Sequence, residues 1–336
     1  MNTTAAVLRD PEGHYVIEEI ELPPPGPGEL LVRVAGVGHC HSDSVIRHAP
    51  VVPVPLVLGH EGSGVVEQVG PGVTGISIGD HVVLTFDSCG TCRSCLTALP
   101  SYCDEFRARN FMGHPRDGEP SAVDAAGLPV GHRWFGQSSF ATHAISTVRN
   151  TVVVDREVEL DLLGPLGCGM QTGAGSILNA LKVRPGSSLV VFGVGAVGMA
   201  AVMAARIAGA GQVIAVDRYH SRLDVALSLG ATHVLQAGAE LDLLGEIRAL
   251  TGGGADYTFD TTGVPAVIGS AVECLRMTGI CGLVGVGKPV EINPAALFGK
   301  TILGIFEGDA VAQLLIPQLI EWWKAGLFPF DKLVER

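Results

Sequence analysis

Four thiols stand close together in "CGTCRSCLTALPSYC", at Cys89, Cys92, Cys95 and Cys103, in the spacing C-x2-C-x2-C-x7-C. Cysteines at C-x2-C pair as disulfides only under strain or in redox motifs. The iron–sulfur run of ferredoxins has x3 and a proline around its last cysteine, not x7. Four thiolates together make a closed tetrahedral shell, which suits zinc in a structural role. Every position around such an ion is filled, so it would pin a lobe and take no substrate.

A second set is suited to chemistry. Cys40 lies in "GHCHSD", His60 beside Glu61 in "GHEGSG", and Cys168 in "GPLGCGMQTGAGS", all glycine-rich and turn-like. Two thiolates and one imidazole leave a zinc one open position, which is a catalytic arrangement. The three are far apart in the chain, and each alone also reads as a turn or core residue. Cys274 and Cys281 fall on a predicted helix and strand and read as small core residues.

A third motif points to a nucleotide. "VFGVGAVG" carries Gly193, Gly195 and Gly198 as G-x-G-x-x-G between a predicted strand and a predicted helix. In that setting the glycines let the backbone approach a pyrophosphate, and the helix N-terminus offers free N–H groups. Asp217 ends the next strand, "VIAVD". An acid there accepts from both ribose hydroxyls and repels a 2′-phosphate, so NAD is expected over NADP. Arg218 and Arg222 follow and weaken that preference, since an arginine can hold a 2′-phosphate. The alternative is a glycine-rich turn within a core, with no ligand.

These residues require two kinds of scaffold, and 336 residues are enough for two domains. In the first part of the chain "ELLVRVAGVG", "GSGVVEQVG" and "GDHVVLTF" are short apolar runs bounded by Gly, Pro and Asp, as in strands. The segment 104–139 is polar and turn-rich and reads as a long ordered excursion. Beyond it the rhythm changes to strand–helix alternation. "SLVVFG", "QVIAVD", "THVLQ", "ADYTFDTTG", "ICGLVGV" and "KTILGIF" predict six strands. Helices such as "HSRLDVALSLG", "LLGEIRALTGGG" and "PAVIGSAVECLRMTG" connect them, which makes a doubly wound α/β sheet. A last helix, "DAVAQLLIPQLIEWWKAG", contains Pro317. "KTILGIF" reads as an edge strand able to pair with its copy in a second subunit.

Composition excludes several classes. The net charge is −12 with only 22 Lys and Arg and no basic run, so nucleic acid is not an expected partner. The N-terminus meets charge and proline too early for a signal peptide. The longest apolar run, residues 189–205, carries the glycine motif, so no membrane span is expected. Eight cysteines in an unsecreted chain imply reduced thiols and a cytoplasmic protein.

At this point the motifs taken together resemble a known family. "GHEGSGVVEQVGPGV", the four-cysteine run, the "GCG" around Cys168 and "GVGAVG" stand in the order found in zinc-dependent medium-chain alcohol dehydrogenases. "GHCHSD", "GPLGCGMQTGAG" and "FGQSSFATHA" are similar to its aryl-alcohol (benzyl alcohol) branch. The resemblance implies a mainly β, GroES-like catalytic domain over 1–169 and 303–336, with a structural zinc lobe at 89–103. It implies a six-stranded Rossmann domain over 170–302. It implies two zinc ions per chain, NAD, and a homodimer or homotetramer. Cys40, His60 and Cys168 would hold the catalytic zinc, and Cys89, Cys92, Cys95 and Cys103 the structural one. Glu61 would sit behind the catalytic ion. Asp43 would orient the His60 ring, Ser42 would receive the alcohol proton, and His41 would lie near the pyrophosphate. Thr172 and Val197 would touch the nicotinamide side, and Val284 and Arg222 would join the cofactor contacts.

Two departures follow. Some members of the family relay the proton through a histidine three residues after the serine, and here that position is Val45. The family also continues beyond "FPFDKLVER" with a further helix, strand and basic residue, so a naturally short chain or a truncated one is expected. Val45, Thr85, Phe86, Trp134 and Phe135 are the candidate pocket residues, with packing of the long loop as the other reading of the last two. An apolar, aromatic lining suits a primary aryl, allylic or monoterpene alcohol, oxidised reversibly to its aldehyde. The alternatives are a relative acting on a hydroxymethyl–thiol adduct, or a non-catalytic zinc and nucleotide binder.

Overall fold

The structure, a computed structural model, describes residues 1–10, 14–47, 52–114, 121–238 and 241–334. Its contacts divide the chain into two compact units, Met1–Cys168 with Val311–Gln318, and Gly169–Ala310 with Leu319–Arg336.

The first unit contains β1 (Asn2–Leu8), β2 (Tyr15–Glu21), β3 (Glu29–Gly38), α1 (His41–Arg47), β4 (Leu56–Val57), β5 (Glu61–Val69) and β6 (His81–Leu84). It continues with α2 (Arg93–Leu96), α3 (Phe106–Asn110), β7 (Ala122–Asp124), β8 (Pro129–Val130), β9 (His143–Thr147), β10 (Thr151–Val154) and α4 (Leu160–Leu163). The strands form two sheets, ordered β4-β1-β2-β7-β8 and β10-β6-β5-β3-β9. Strand side chains alternate between faces. Thus Leu31 of β3 enters a core with Val7, Ile20 and Ile145, while Leu30 and Val32 enter another with Val66, Val82 and Leu84. Over Leu30–Val32 β3 is apolar on both faces because both are covered there, whereas Arg33, Ala35 and Val37 beyond are exposed.

Register then gathers distant residues. β3 and β5 run antiparallel with Gly38 opposite Glu61, so Cys40 and His60 leave the sheet side by side. β5 pairs with β6, and Thr85, just past β6, donates its hydroxyl to the Gly167 carbonyl at 2.7 Å. That bond fixes the residue before Cys168. A Cβ on Gly167 would run into the Leu84 carbonyl oxygen, so the approach requires glycine.

The second unit contains α5 (Gly169–Gly175), β11 (Ser188–Phe192), α6 (Ala196–Ile207), β12 (Gln212–Asp217), α7 (His220–Leu229) and β13 (His233–Gln236). α8 (Leu243–Thr251), β14 (Ala255–Asp260), α9 (Pro265–Glu273), β15 (Leu275–Leu283) and β16 (Thr301–Gly304) follow. α10 (Ala312–Lys324), which contains Pro317, spans the division between units. The sheet is parallel, in the order β13-β12-β11-β14-β15-β16. All of β11 is buried, as a strand covered on both faces requires. Left-handed Gly230 and Gly252 end α7 and α8, and the Asp242 side chain caps the start of α8.

Two elements differ from the sequence reading. The segment 104–139 is more than an excursion. It supplies α3, β7 and β8, and it buries Phe106, Ala122, Val130, Trp134 and Phe135. Strands of two or three residues are too short to show a period. The helix predicted through "LRMTG" ends at Glu273, and β15 begins two residues later. A register shift between Ala255 and Tyr257, with Thr278 at φ 69°, lets this bulged stretch join the sheet. Among the described residues no helix is long and apolar enough to cross a membrane.

Because Gly167 packs on backbone, Gly167→Ala should destabilise the fold by about 1–3 kcal/mol and, if Cys168 ligates a metal as the sequence reading expects, lower the zinc content. Thermal unfolding and zinc content check this, and a variant matching the wild type in both would rule out the packing account.

Candidate metal and cofactor sites

One donor atom each from Cys40, His60 and Cys168 lies within 4.8 Å of the other two. The two sulfurs are 4.0 Å apart. Cys168 and His60 are buried, and Cys40 is half-buried. The Asp43 carboxylate can only accept, so the proton shared with it at 3.1 Å sits on His60 Nδ1. His60 Nε2 is then left buried with no hydrogen-bond partner. A buried, unpaired imidazole nitrogen is costly unless a ligand takes it. Two sulfurs beside it supply the donor set that zinc prefers, and the residues present fit the ion.

Electrostatics favour a thiolate at Cys40 but hold on His60 a proton that a metal ion would have to displace. The Cys40 thiol is pulled down to about 4, first by the hydrogen bond from Cys168 and then by His60, against the cost of burial. Burial opposes a charge on His60, but the Asp43 carboxylate outweighs it, with Cys40 adding to the effect, and the imidazole sits well above its ordinary range. Burial also opposes ionisation of Asp43. His60 and the Gly59 and Cys40 N–H groups more than offset it and hold the carboxyl below its usual value.

The four-cysteine group is equally compact, with Cys89, Cys92, Cys95 and Cys103 offering sulfurs within 4.8 Å of one another. Backbone N–H groups of Thr91 and Cys92 donate to the Cys89 sulfur at 3.4 and 3.2 Å. The Thr91 bond leads in lowering the Cys89 thiol to about 6. N–H···S bonds of this kind suit a thiolate that ligates a metal. Cys274 and Cys281 are different: burial alone leads in pushing them up to about 12 and about 11, and they stay core thiols.

In the second unit the glycine loop has the required shape. Gly193 has φ 83°, Gly195 caps α6, and a Cβ on Gly198 would strike the Gly193 carbonyl. Asp217 Oδ2 accepts from Val194 N at 2.9 Å, and Oδ1 accepts from Tyr219 N at 3.0 Å. Arg222 lies 3.6 Å from Asp217, and the guanidiniums of Arg218 and Arg222 lie 4.8 and 5.0 Å from the Tyr219 ring centre. Val197 lies in the first turn of α6, and a Cβ on Gly173 of α5 would strike its carbonyl. The Thr172 hydroxyl donates to Glu307 at 3.4 Å, and Val284 N donates to the Asp260 carbonyl at 3.0 Å.

The other predicted residues fall around the first metal group. Ser42 lies beside Cys40, its oxygen 3.7 Å from the sulfur, and His41 is exposed. Glu61 is buried, packed so closely under Gly38 that a Cβ there would collide with it. Val45 is 42% exposed on α1. Phe86 is buried against Phe106. Phe135 stacks on the His60 ring at 4.3 Å, and the Trp134 indole donates to Asp43 at 2.9 Å. The sequence reading gave Gln137 no role. Fully buried, it donates to the His60 carbonyl at 2.9 Å and accepts from Gly62 N at 3.1 Å. Its place in "FGQSSF" was the only signal, and no pattern marks a side chain that bonds to backbone.

Comparison with known proteins agrees with this geometry. The chain matches the Alcohol dehydrogenase GroES-like domain over residues 26–154 and the Zinc-binding dehydrogenase domain over 196–325. It is 46% identical to a geraniol dehydrogenase of Castellaniella defragrans, over 100% of this chain and 91% of that protein. The chain belongs to the zinc-dependent medium-chain alcohol dehydrogenases. The solved benzyl alcohol dehydrogenase of Acinetobacter calcoaceticus superposes with a TM-score of 0.92 at 42% identity, over 100% of this chain and 92% of that one. An alcohol dehydrogenase zinc-binding domain protein from Burkholderia ambifaria reaches a TM-score of 0.96 at 49% identity, with the same coverage of 100% and 92%. As an alcohol dehydrogenase of this family the protein uses zinc and NAD.

Asp217 organises the glycine loop, in addition to the ribose role that the sequence reading gives it. Asp217→Gly should therefore narrow the NAD over NADP preference and also raise the KM for NAD by about tenfold or more, the worth of one lost charged hydrogen bond. Steady-state kinetics with both nucleotides check this. An unchanged KM for NAD would overturn the second role, and an unchanged preference the first.

Proposed function

We propose that the protein oxidises a primary, apolar alcohol, with an aryl, allylic or monoterpene body, reversibly to its aldehyde. The observation that carries this is the buried Cys40, His60 and Cys168 group, with its unpartnered His60 nitrogen; packed aromatic rings around His60 make its surroundings apolar without themselves being an open pocket. In that packing Phe86, Phe106, Phe111, Trp134 and Phe135 lie ring to ring. Similarity to geraniol and benzyl alcohol dehydrogenases supports the same substrate class.

Cys40, His60 and Cys168 would hold one zinc, and Cys89, Cys92, Cys95 and Cys103 a second. When bound, zinc acidifies the alcohol hydroxyl as a Lewis acid, and NAD accepts the hydride. Ser42, beside Cys40, receives the hydroxyl proton. With Val45 three residues on, that proton leaves through water or a neighbour such as His41. Asp43 keeps the His60 proton on Nδ1, so Nε2 faces the two sulfurs. The thiolates of Cys40 and Cys168 would offset the formal charge of a bound ion, which suits a neutral aldehyde product. In the second unit Gly193, Gly195 and Gly198 receive the pyrophosphate and Asp217 the ribose. Thr172, Val197 and Val284 border the nicotinamide. β16 stands at an edge of its sheet, which supports a homodimer or homotetramer, and the grouping of six cysteines as metal-ligand sets rather than disulfides supports the cytoplasm.

NADH formation should be measured with benzyl, cinnamyl, geranyl and ethyl alcohols. The bulky alcohols should exceed ethanol in kcat/KM by at least about tenfold. Equal or better turnover of ethanol would sink the substrate assignment. Metal analysis should give two zinc ions per chain, one for each cysteine-containing group. A chelator should remove one with loss of activity and leave the other in a folded protein. A well-folded preparation without zinc would dismiss both metal assignments.

A further inference from the structure

Asp43 is fully buried and collects four N–H donors. Oδ2 accepts from Cys40 N at 3.2 Å, while Oδ1 accepts from Gly59 N at 3.2 Å, His60 Nδ1 at 3.1 Å and Trp134 Nε1 at 2.9 Å. The indole bond is the shortest of the four. It reaches Asp43 from a segment 91 residues away in the chain, whereas the other donors belong to the metal-ligand segments themselves. A carboxylate oxygen has about two lone-pair sites, so three donors on Oδ1 compete for it, and the indole helps to set the plane in which His60 meets it.

The next residue acts on the same ring. Phe135 stacks on the His60 face at 4.3 Å with 19° between planes, and Trp134 stands edge-on to it at 6.3 Å and 81°. Neighbouring side chains in a strand point to opposite faces. Here they converge, because Phe135 has φ 49° and ψ 33°, a left-handed conformation that a bulky residue seldom adopts. The surroundings hold it there. Asn150 donates to the Phe135 and Gly136 carbonyls at 3.3 and 3.1 Å. Trp134 N donates to Ser138 Oγ at 2.8 Å, and that hydroxyl donates to the Val57 carbonyl at 2.6 Å. Gln137 then ties the same turn to the backbone on both sides of Glu61. Backbone strain kept by so many bonds marks a functional constraint.

We infer that Trp134 is a positioning residue of the metal site, orienting His60 through Asp43, while Phe135 fixes the ring by its face. Neither is then chiefly a wall of the substrate pocket. Trp134 is 1% exposed and Phe135 4%. This inference rests on the assignment of Cys40, His60 and Cys168 to the catalytic zinc.

The test is Trp134→Phe in the metal-loaded protein, which removes the donor and keeps an aromatic ring. Three quantities decide it: zinc affinity by chelator competition, the visible bands after cobalt replaces the catalytic zinc, and the ratio of kcat/KM for benzyl and geranyl alcohols. A positioning role predicts an affinity loss of about 10–100-fold and shifted cobalt bands, with the alcohol ratio unchanged. Zinc at the four cysteines serves as the internal control of folding. Unchanged affinity and bands with a changed alcohol ratio would make Trp134 a pocket wall and overturn the inference. If Trp134→Phe does not fold, the unmutated protein answers instead. Of its three tryptophan indole N–H resonances, one should shift when the catalytic metal is removed and be displaced again by cobalt. No moving resonance would overturn the inference. Wild-type protein that binds zinc but oxidises no alcohol would refute the proposed function and leave this result standing.

Discussion

A carboxylate placed where no water reaches it must be repaid by nearby donors, and the Asp43 side chain shows how that requirement organises a site. Burying an unpaired charge costs more than most folds can tolerate. Asp43 escapes this by drawing N–H groups from Cys40 just before α1, from the turn before β5 and from the Trp134 turn. Each donor is thereby held in place. The same carboxylate fixes the start of α1, the tautomer of His60 and the approach of the aromatic turn. The placement of Cys40 and His60 thus follows in part from satisfying one buried anion, while Cys168 is held through the Thr85–Gly167 bond.

The two metal groups differ in what must exist before they can form. Cys89, Cys92, Cys95 and Cys103 come from one short segment, and α2 and adjoining turns bring their sulfurs together. Closing so small a loop costs little entropy, so an ion there can organise its own lobe. Cys40, His60 and Cys168 meet only after β3, β5 and β6 have paired in register and Thr85 has caught the Gly167 carbonyl. A slip of one residue between β3 and β5 would turn the flanking side chains to the other face. The first ion shapes structure, and the second reports that structure is already correct.

This difference explains what the sequence made legible. The four-cysteine run was readable because its ligands are close in the chain. The six-stranded sheet was readable because β11 and β12 are continuous apolar runs and the glycine loop follows β11. The Cys40, His60 and Cys168 group became specific only through resemblance, since nothing in their spacing reveals a shared register. Trp134, Phe135 and Gln137 were visible as residue types, yet their partners were not. An indole reaching across the fold to Asp43, or an amide bonding to backbone, leaves no periodic trace. The bulge at Thr278 was missed for a related reason: it depends on the neighbouring strand, which local propensity does not contain.

Asp43 is not alone in its use of a buried acid. Asp217 draws Val194 N and Tyr219 N onto its two oxygens and so joins the glycine loop to the start of α7. Asp260 accepts from Gly263 N and the Thr262 hydroxyl, and Asp87 from Thr147 and Arg109. Asp217 and Asp260 end β12 and β14, and Asp87 follows β6 by three residues, where the sheet can no longer satisfy backbone groups and the chain must turn. A carboxylate suits that place better than an amide. Both of its oxygens accept, and neither brings a proton of its own. An asparagine would face at least one of the gathered N–H groups with another donor, leaving both unsatisfied. Loops that carry ligands must be rigid without being part of a sheet. Anchoring them to an acceptor-rich acid near the strand terminus supplies rigidity at the position where ligand groups are needed.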